Sequence, residues 1–521
     1  MVERIPSSTT AAAADLPDQP TLNFQAPELP RELREFLTLP GRHVLLVRGP
    51  AGSGKTTLSV ELLERLEGHL ILVTPAGEGL DDRLSEFIRR NPTTQILHVT
   101  MGGGCQARMP SNGTLPGHVL AAGPFGDERR TDRPPWVETI LRRLSPVGHT
   151  YIVVDHWTAN DTGNADPAQG GDAFANADER EIQALRSALE GTATHLIILA
   201  ESVPSATAVS GVDGVVETGY EPTPNGRIRL LTLRKLRGVP IATPEYPYSL
   251  AEGRFRCAMP LPPNFRPPIG PPDNAPIDRP GFLWPGSTAY AKVFGWLQMG
   301  AMTSIELGPA IPDYFEPAIT TPLVAHTLLA GGRVVLVPMP TRLPEEVVSV
   351  LLQWVPSKTL ECNLRILSAG GVETNPLLKK VLFPLRRAKP RRASSDRAAR
   401  VVPAFDDVVQ FLRDTEVRKP ALYVLSFDGL RAVAAVTGVQ YDTATFPLIV
   451  ARYAQLPGFH GVAVARVGDP LAMTVQGHAE TFLHADSSHG RLFLSGIRPE
   501  TVLHGLSWGE GDARYRLIPM S

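Results

Sequence analysis

Cysteine is nearly absent from this 521-residue chain. Cys105, Cys257 and Cys362 stand far apart, without the paired spacing of a zinc site or a disulfide framework, and a reducing cytoplasm is the expected compartment. Excess charge of either sign is missing too. The 51 basic and 53 acidic residues leave a formal net charge of -2, so no global field draws the chain to nucleic acid or to an acidic membrane surface. Apolar runs are short: Leu196 to Ala200 falls far below the roughly 20 residues that cross a bilayer, and no membrane span is expected. The opening MVERIPSSTTAAAADLPDQP lacks the apolar core of about 7 to 15 residues that marks a secretory signal, and residues 1–30 read as a disordered leader. Lysine is scarce, eight residues against 43 arginines, which makes each one informative. Two of them, Lys55 and Lys235, fall inside motifs.

Hydrophobic residues make up 43% of the chain and charged residues 20%, a globular composition, and at about 100 to 200 residues per domain the length requires at least two domains. Apolar periodicity and turn residues predict a helix over 32–37, a strand over 43–47, a glycine loop, a helix over 56–66 and a strand over 69–74, which together form a βαβ unit. An irregular Gly- and Pro-rich region, 102–135, precedes a helix over 137–144 and a buried-type strand over 151–154. A helix over 179–189 leads to a second such strand over 195–200, and the Asn225-Gly226 turn signal introduces a hairpin strand over 227–233. This alternation predicts an α/β fold with mostly parallel central sheets flanked by helices. Proline-dense residues 261–285 read as a linker between domains at 31–260 and 286–521.

The second half repeats the first. LEGHLILVTPAGEGLDDRLSEFI from Leu66 aligns without a gap on LAGGRVVLVPMPTRLPEEVVSVL from Leu329. YIVVDHW from Tyr151 has a counterpart in LYVLSFDGL from Leu422, which would make Asp155 and Asp428 equivalent, and ETGYEPTPNGRIRLL from Glu217 parallels ETFLHADSSHGRLFL from Glu480. Three matches in one order predict tandem copies of one fold.

HVLLVRGPAGSGKTT from His43 sets G-x-x-x-x-G-K-[ST] after an apolar strand and before a helical pattern, the context this motif requires. Gly49, Pro50, Ala51, Gly52, Ser53 and Gly54 form the loop, whose glycines let backbone N–H groups converge on phosphate oxygens ahead of a helix N-terminus. Lys55 is expected at the β and γ phosphates of ATP, Thr56 on Mg²⁺ and Thr57 beside the α phosphate. Asp155, which ends the apolar run from Tyr151, is expected to meet the Mg²⁺ through water; a turn or helix-capping aspartate is the plainer reading.

The stretch RLLTLRKLRGVPIATPEYPYSL from Arg229 carries Lys235, Arg237, Gly238, Tyr246 and Tyr248 in a K-x-R-G, Y-x-Y pattern. Together with the P-loop and with LIILAESVPSATAVSGVDGVVETGY from Leu196, it resembles the KaiC- and RadA-like ATPases of the RecA superfamily over residues 40 to 257. That resemblance implies MgATP as ligand and a homo-oligomer in which Lys235 and Arg237 reach the γ phosphate held by a neighbouring subunit. Two cations, two residues apart on one strand face, suit such a task, and a solvated edge-strand pair is the plainer reading. Members that hydrolyse ATP well carry glutamates at the end of the strand after the P-loop helix. Here LILVTPAGEG sets Thr74, Pro75 and Ala76 in that region, and Glu78 is the nearest carboxylate, so slow hydrolysis is expected, with Glu78 as the candidate base.

In the second half the corresponding stretch, IELGPAIPDYFEPAITTPLVAH from Ile305, has no Gly-Lys pair, and Pro309, Pro312, Pro317 and Glu316 stand where backbone amides would meet phosphate. This domain is expected not to bind nucleotide and to act as a scaffold or protein-binding half. PLRRAKPRRASSDRAAR from Pro384 gathers Arg386, Arg387, Lys389, Arg391, Arg392, Arg397 and Arg400 around Asp396. A solvated loop is the first reading of such a block; contact with a nucleic-acid backbone or an acidic protein is the second, without interleaved aromatics for base stacking. Arginine-rich segments also occur in archaeal gas-vesicle regulatory ATPases, which the chain resembles in its P-loop domain and approximate length. The expected function is a slow ATPase or nucleotide-gated regulatory switch; a DNA-acting recombination or repair ATPase and a KaiC-like autophosphorylating kinase are the alternatives.

Overall fold

The structure, a computed structural model, describes residues 29–64, 66, 69–75, 95–99, 119–121, 150–157, 183, 186–187, 189–190, 192, 194–201, 211–223, 226–258, 269–369, 375–383, 408, 410–412, 419–437, 455–508 and 515–520. Helix α1 (Arg31–Thr38) precedes strand β1 (Val44–Arg48), and helix α2 (Lys55–Leu63) follows it. The first half continues with β2 (His69–Pro75), β3 (Gln95–Val99), β4 (Val119–Ala121), β5 (Thr150–Trp157) and β6 (Thr194–Ala200). It closes with β7 (Gly214–Thr223), β8 (Gly226–Leu236), β9 (Glu245–Ser249) and β10 (Arg256–Cys257). The order across the sheet is β10-β9-β8-β7-β1-β6-β5-β2-β3-β4, parallel from β7 through β1 to β4 and antiparallel from β7 to β10.

Helix α2 ends three residues before its predicted limit, because Leu66 N–H donates to Leu63 C=O (3.2 Å), the tighter bond that commonly closes a last turn. The central strands are continuous apolar runs because both faces are covered. Leu45, Val47, Tyr151, Val153, Ile197 and Leu199 share one core, while Val44, Leu46, Ile152 and Ile198, pointing the other way, are buried as well.

A short antiparallel pair, β11 (Phe282–Leu283) and β12 (Leu297–Gln298), brackets helix α3 (Thr288–Phe294) and leads into the second sheet. That sheet comprises β13 (Ala301–Leu307), β14 (Arg333–Val337), β15 (Leu364–Ile366), β16 (Ala421–Ser426), β17 (Phe459–Arg466), β18 (Thr481–Ser488), β19 (Arg491–Arg498), β20 (His504–Trp508) and β21 (Tyr515–Pro519). Its order is β15-β14-β16-β17-β13-β18-β19-β20-β21. Setting β13 on β1 makes the two orders coincide strand for strand from β3 to β10, so the halves are tandem copies of one α/β topology. The three sequence matches fall on equivalent strands: β2 with β14, β5 with β16, and the β7–β8 hairpin with β18–β19. Leu422, Val424, Val462 and Val464 point into one core of the second sheet, and Tyr423, Leu425, Ala463 and Ala465 into the other.

The halves meet through an apolar cluster in which Ile228 and Ala258 of the first pack against Phe493, Leu503, Ile518 and Met520 of the second. Among the described residues no helix is long and apolar enough to cross a membrane.

Candidate nucleotide site

Strand order places the site. Because β6 is inserted between β1 and β5, the carboxyl ends of these three strands lie side by side, the usual ligand crevice of an open parallel sheet. The P-loop leaves β1, Asp155 stands near the end of β5, and Glu201 follows β6.

Gly52 (φ 71°) and Gly54 (φ 85°) adopt the left-handed backbone that turns the loop into α2, and Ser53 N–H donates to Pro50 C=O (3.2 Å). The first turn of α2 carries no acidic residue and no side-chain cap, so its N–H groups and positive end suit an anion. Lys55, 8% exposed, folds back over the loop and donates to Gly49 C=O and Pro50 C=O, each at 3.0 Å. Burial pulls this ammonium below its usual range, and Glu201 and Asp155 push it back up. Thr56 Oγ1 donates to Asp155 Oδ2 at 3.2 Å, with Oδ1 at 3.5 Å. Strand alternation puts Asp155 on the same face of β5 as Tyr151 and Val153, the face that packs with α2, and so toward the loop. Thr57 follows, half-buried.

The loop is braced from behind by β7 and β9. Ser53 Oγ bonds Thr218 Oγ1 (2.6 Å), Tyr220 O–H donates to Gly52 C=O (3.1 Å), and Tyr248 O–H donates to Ser53 C=O. Burial pushes the Tyr248 phenol far up, which keeps it a donor. The packing admits nothing larger than glycine at Gly49, where a Cβ would stand 2.2 Å from the backbone Thr218 O, and at Gly54 the left-handed φ of 85° favours glycine. A hydroxyl facing a carboxylate, beside a buried lysine and a glycine cradle held from behind, fits a nucleotide phosphate chain with a divalent cation.

No family model matches the chain. It is 25% identical over 245 residues to Protein GvpD2 of Halobacterium salinarum. The match covers 44% of each chain, so the chain spans less than half the length of the curated relative it matches. Two mostly parallel sheets flanked by helices are the architecture of tandem RecA-like domains.

Lys235 and Arg237 lie elsewhere. Lys235 pairs with Val215, near the start of β7, and its ammonium reaches back to Val212, beside the start of β1, so it points to the sheet end opposite the P-loop of its own chain. Its ammonium donates to Val212 C=O (2.6 Å), and Arg237 pairs with Asp213 (2.9 Å), which also receives Val44 N–H (3.2 Å) and Arg186 (3.2 Å). Contact with a γ phosphate would therefore involve a second copy of the chain. Glu78 and the basic tract from Arg386 to Arg400 lie outside the described residues.

The corresponding edge of the second sheet is filled from within. After β13 the loop 308–314 wraps the Arg466 guanidinium, which donates to Ile311 C=O (2.7 Å) and Asp313 (2.5 Å). Glu316, 2% exposed in the first turn of helix α4 (Phe315–Leu329), accepts from Thr320 O–H (2.5 Å) and lies 3.8 Å from Arg342. Burial drives its carboxyl up in pKa, opposed by Arg342 and Thr320. Asp428 is not placed as Asp155 is. Strand β16 stops at Ser426, and Asp428 opens the helix Phe427–Thr437, where it pairs with Arg431 (3.0 Å).

Glu201 was not singled out by sequence reasoning. Its Oε1 lies 4.0 Å from Lys55 Nζ. The only local signal is a carboxylate directly after a buried apolar strand.

Proposed function

We propose that the chain is a KaiC-like regulatory ATPase that binds MgATP at its first-half P-loop and passes the state of that site to its second half. Bound ATP would supply a phosphoryl bond, and Mg²⁺ would neutralise the charge developing as it breaks. Lys55 and the loop amides would hold the phosphates, Thr56 the metal, and Asp155 the metal's water shell. Lys235 and Arg237 would act on the site of a neighbouring copy in a homo-oligomer, in the cytoplasm.

The observation that carries the switch is that the strands bracing the P-loop are also those on which the second half docks. His489 and Gly490, both at positive φ, form the tight turn of the β18–β19 hairpin. The ring nitrogens of His489 lie 2.7 Å from Glu221 on β7 and 2.9 Å from Glu245 on β9. Arg491, 2% exposed, donates to Ala258 C=O (2.9 Å) and stacks 4.9 Å from the Tyr246 ring centroid. Glu221 directly follows Tyr220, and Tyr246 shares β9 with Tyr248. A shift of the loop on phosphate binding would move the backbone that holds the hairpin.

Amide hydrogen exchange tests this. MgATP is expected to slow exchange at 49–57 and at 486–493. Arg491→Ala, which removes charged hydrogen bonds worth about 1.5–3 kcal/mol each, is expected to keep the first effect and lose the second. Slowing confined to 49–57 in the unaltered chain would reject the coupling.

A further inference from the structure

Lys55 stands between two carboxylates, and only one belongs to the P-loop machinery described above. Asp155 on β5 faces Thr56 and hence the metal position. Glu201 follows β6, the strand between β1 and β5, and its Oε1 lies 4.0 Å from Lys55 Nζ. The backbone fixes it there: Gly49 N–H donates to Ala200 C=O (3.1 Å), tying the residue before Glu201 to the first residue of the loop. The Glu201 side chain is 40% exposed, so it meets solvent while Lys55 beside it is buried.

Resting on the MgATP reading, we propose that Glu201 is the catalytic carboxylate that holds the attacking water, the task for which sequence offered Glu78. A lysine that reaches the γ phosphate donates over about 2.8–3 Å. A carboxylate 4.0 Å from the same ammonium would then stand close enough to the γ phosphorus for one water molecule to bridge them. Such a bridge needs about 2.7 Å from carboxylate to water and roughly 3–3.5 Å from water to phosphorus. The Lys55 charge, set between carboxylate and phosphate, offsets their repulsion.

In the step, the water oxygen bonds to the γ phosphorus while the bond from that phosphorus to the β,γ-bridging oxygen breaks. ADP leaves with the electron pair. One water proton passes to Glu201 and from there to solvent, and the products are ADP, inorganic phosphate and a proton.

The test is single-turnover hydrolysis of MgATP by the full chain and by Glu201→Gln, Glu201→Asp and Glu78→Gln, with MgATP affinity measured on each. Glu201→Gln is expected to bind MgATP within about threefold of the unaltered chain. Its hydrolysis rate is expected to fall about 10²- to 10⁴-fold. Glu201→Asp should restore part of the rate, and Glu78→Gln should leave it within about threefold. Unchanged hydrolysis by Glu201→Gln overturns the assignment, as does loss of rate in Glu78→Gln alone, or a Glu201→Gln chain that no longer binds. If the unaltered chain binds MgATP but never cleaves it, the assignment falls and the binding reading stands. If it does not bind MgATP, both fall.

Discussion

Replacing Lys55 with alanine is expected to weaken MgATP binding about 10²- to 10⁴-fold while the chain stays folded. The ammonium is 8% exposed and has been drawn out of water by the loop itself, so its remaining favourable partners are Gly49 C=O, Pro50 C=O and the nearby Glu201 and Asp155. Phosphate oxygens would give it charge-assisted bonds of about 1.5–3 kcal/mol each, and losing two of them gives the stated range. Stability behaves differently. Deleting the lysine also deletes the cost of burying its charge, and Pro50, whose carbonyl is released, is exposed. Titration of MgATP together with a melting curve checks both parts: affinity should collapse while the melting temperature moves by only a few degrees.

Asp155→Asn is expected to make ATP binding nearly indifferent to Mg²⁺. The substitution keeps the shape of the side chain and an oxygen to accept from Thr56 O–H, now at 3.2 Å from Asp155, so the loop keeps its position. What it removes is the negative charge that would orient the metal's water shell, a kind of outer contact worth about 10- to 100-fold in metal affinity. ATP affinity measured with Mg²⁺ and with EDTA should differ strongly for the unaltered chain and little for the variant. A variant that keeps the full Mg²⁺ effect would remove Asp155 from the metal site.

The parts of this site that were legible in the sequence are local ones. One strand, six loop residues and one helix suffice to recognise the P-loop, and its geometry follows from glycines within that stretch. The tandem repeat was legible for a related reason: apolar strand, turn and helix recur in the same order, and the matched segments occupy equivalent strands. What was not legible depends on register across long separations. Thr218, 165 residues from Ser53, reaches it only because β7 lies against β1. Tyr246 and Tyr248 matched a pattern, but their tasks diverge: the second holds the loop, while the first donates to Glu32 (2.9 Å) and stacks under Arg491. Glu201 comes beside Lys55 because β6 enters the sheet between two strands that both precede it in the chain. Asp428 shows the converse error, where an apolar run ending near an aspartate looked like β5 but turned into a helix at Phe427, one residue before the aspartate.

In the proposed reading the first-half P-loop is the phosphate cradle, while in the second half Arg466 occupies the corresponding loop and Glu316 is buried against Arg342. The most direct measurement is therefore a calorimetric titration of MgATP into the full chain. One site per chain, lost in Lys55→Ala, is the expected result; two sites per chain, or none, would contradict it.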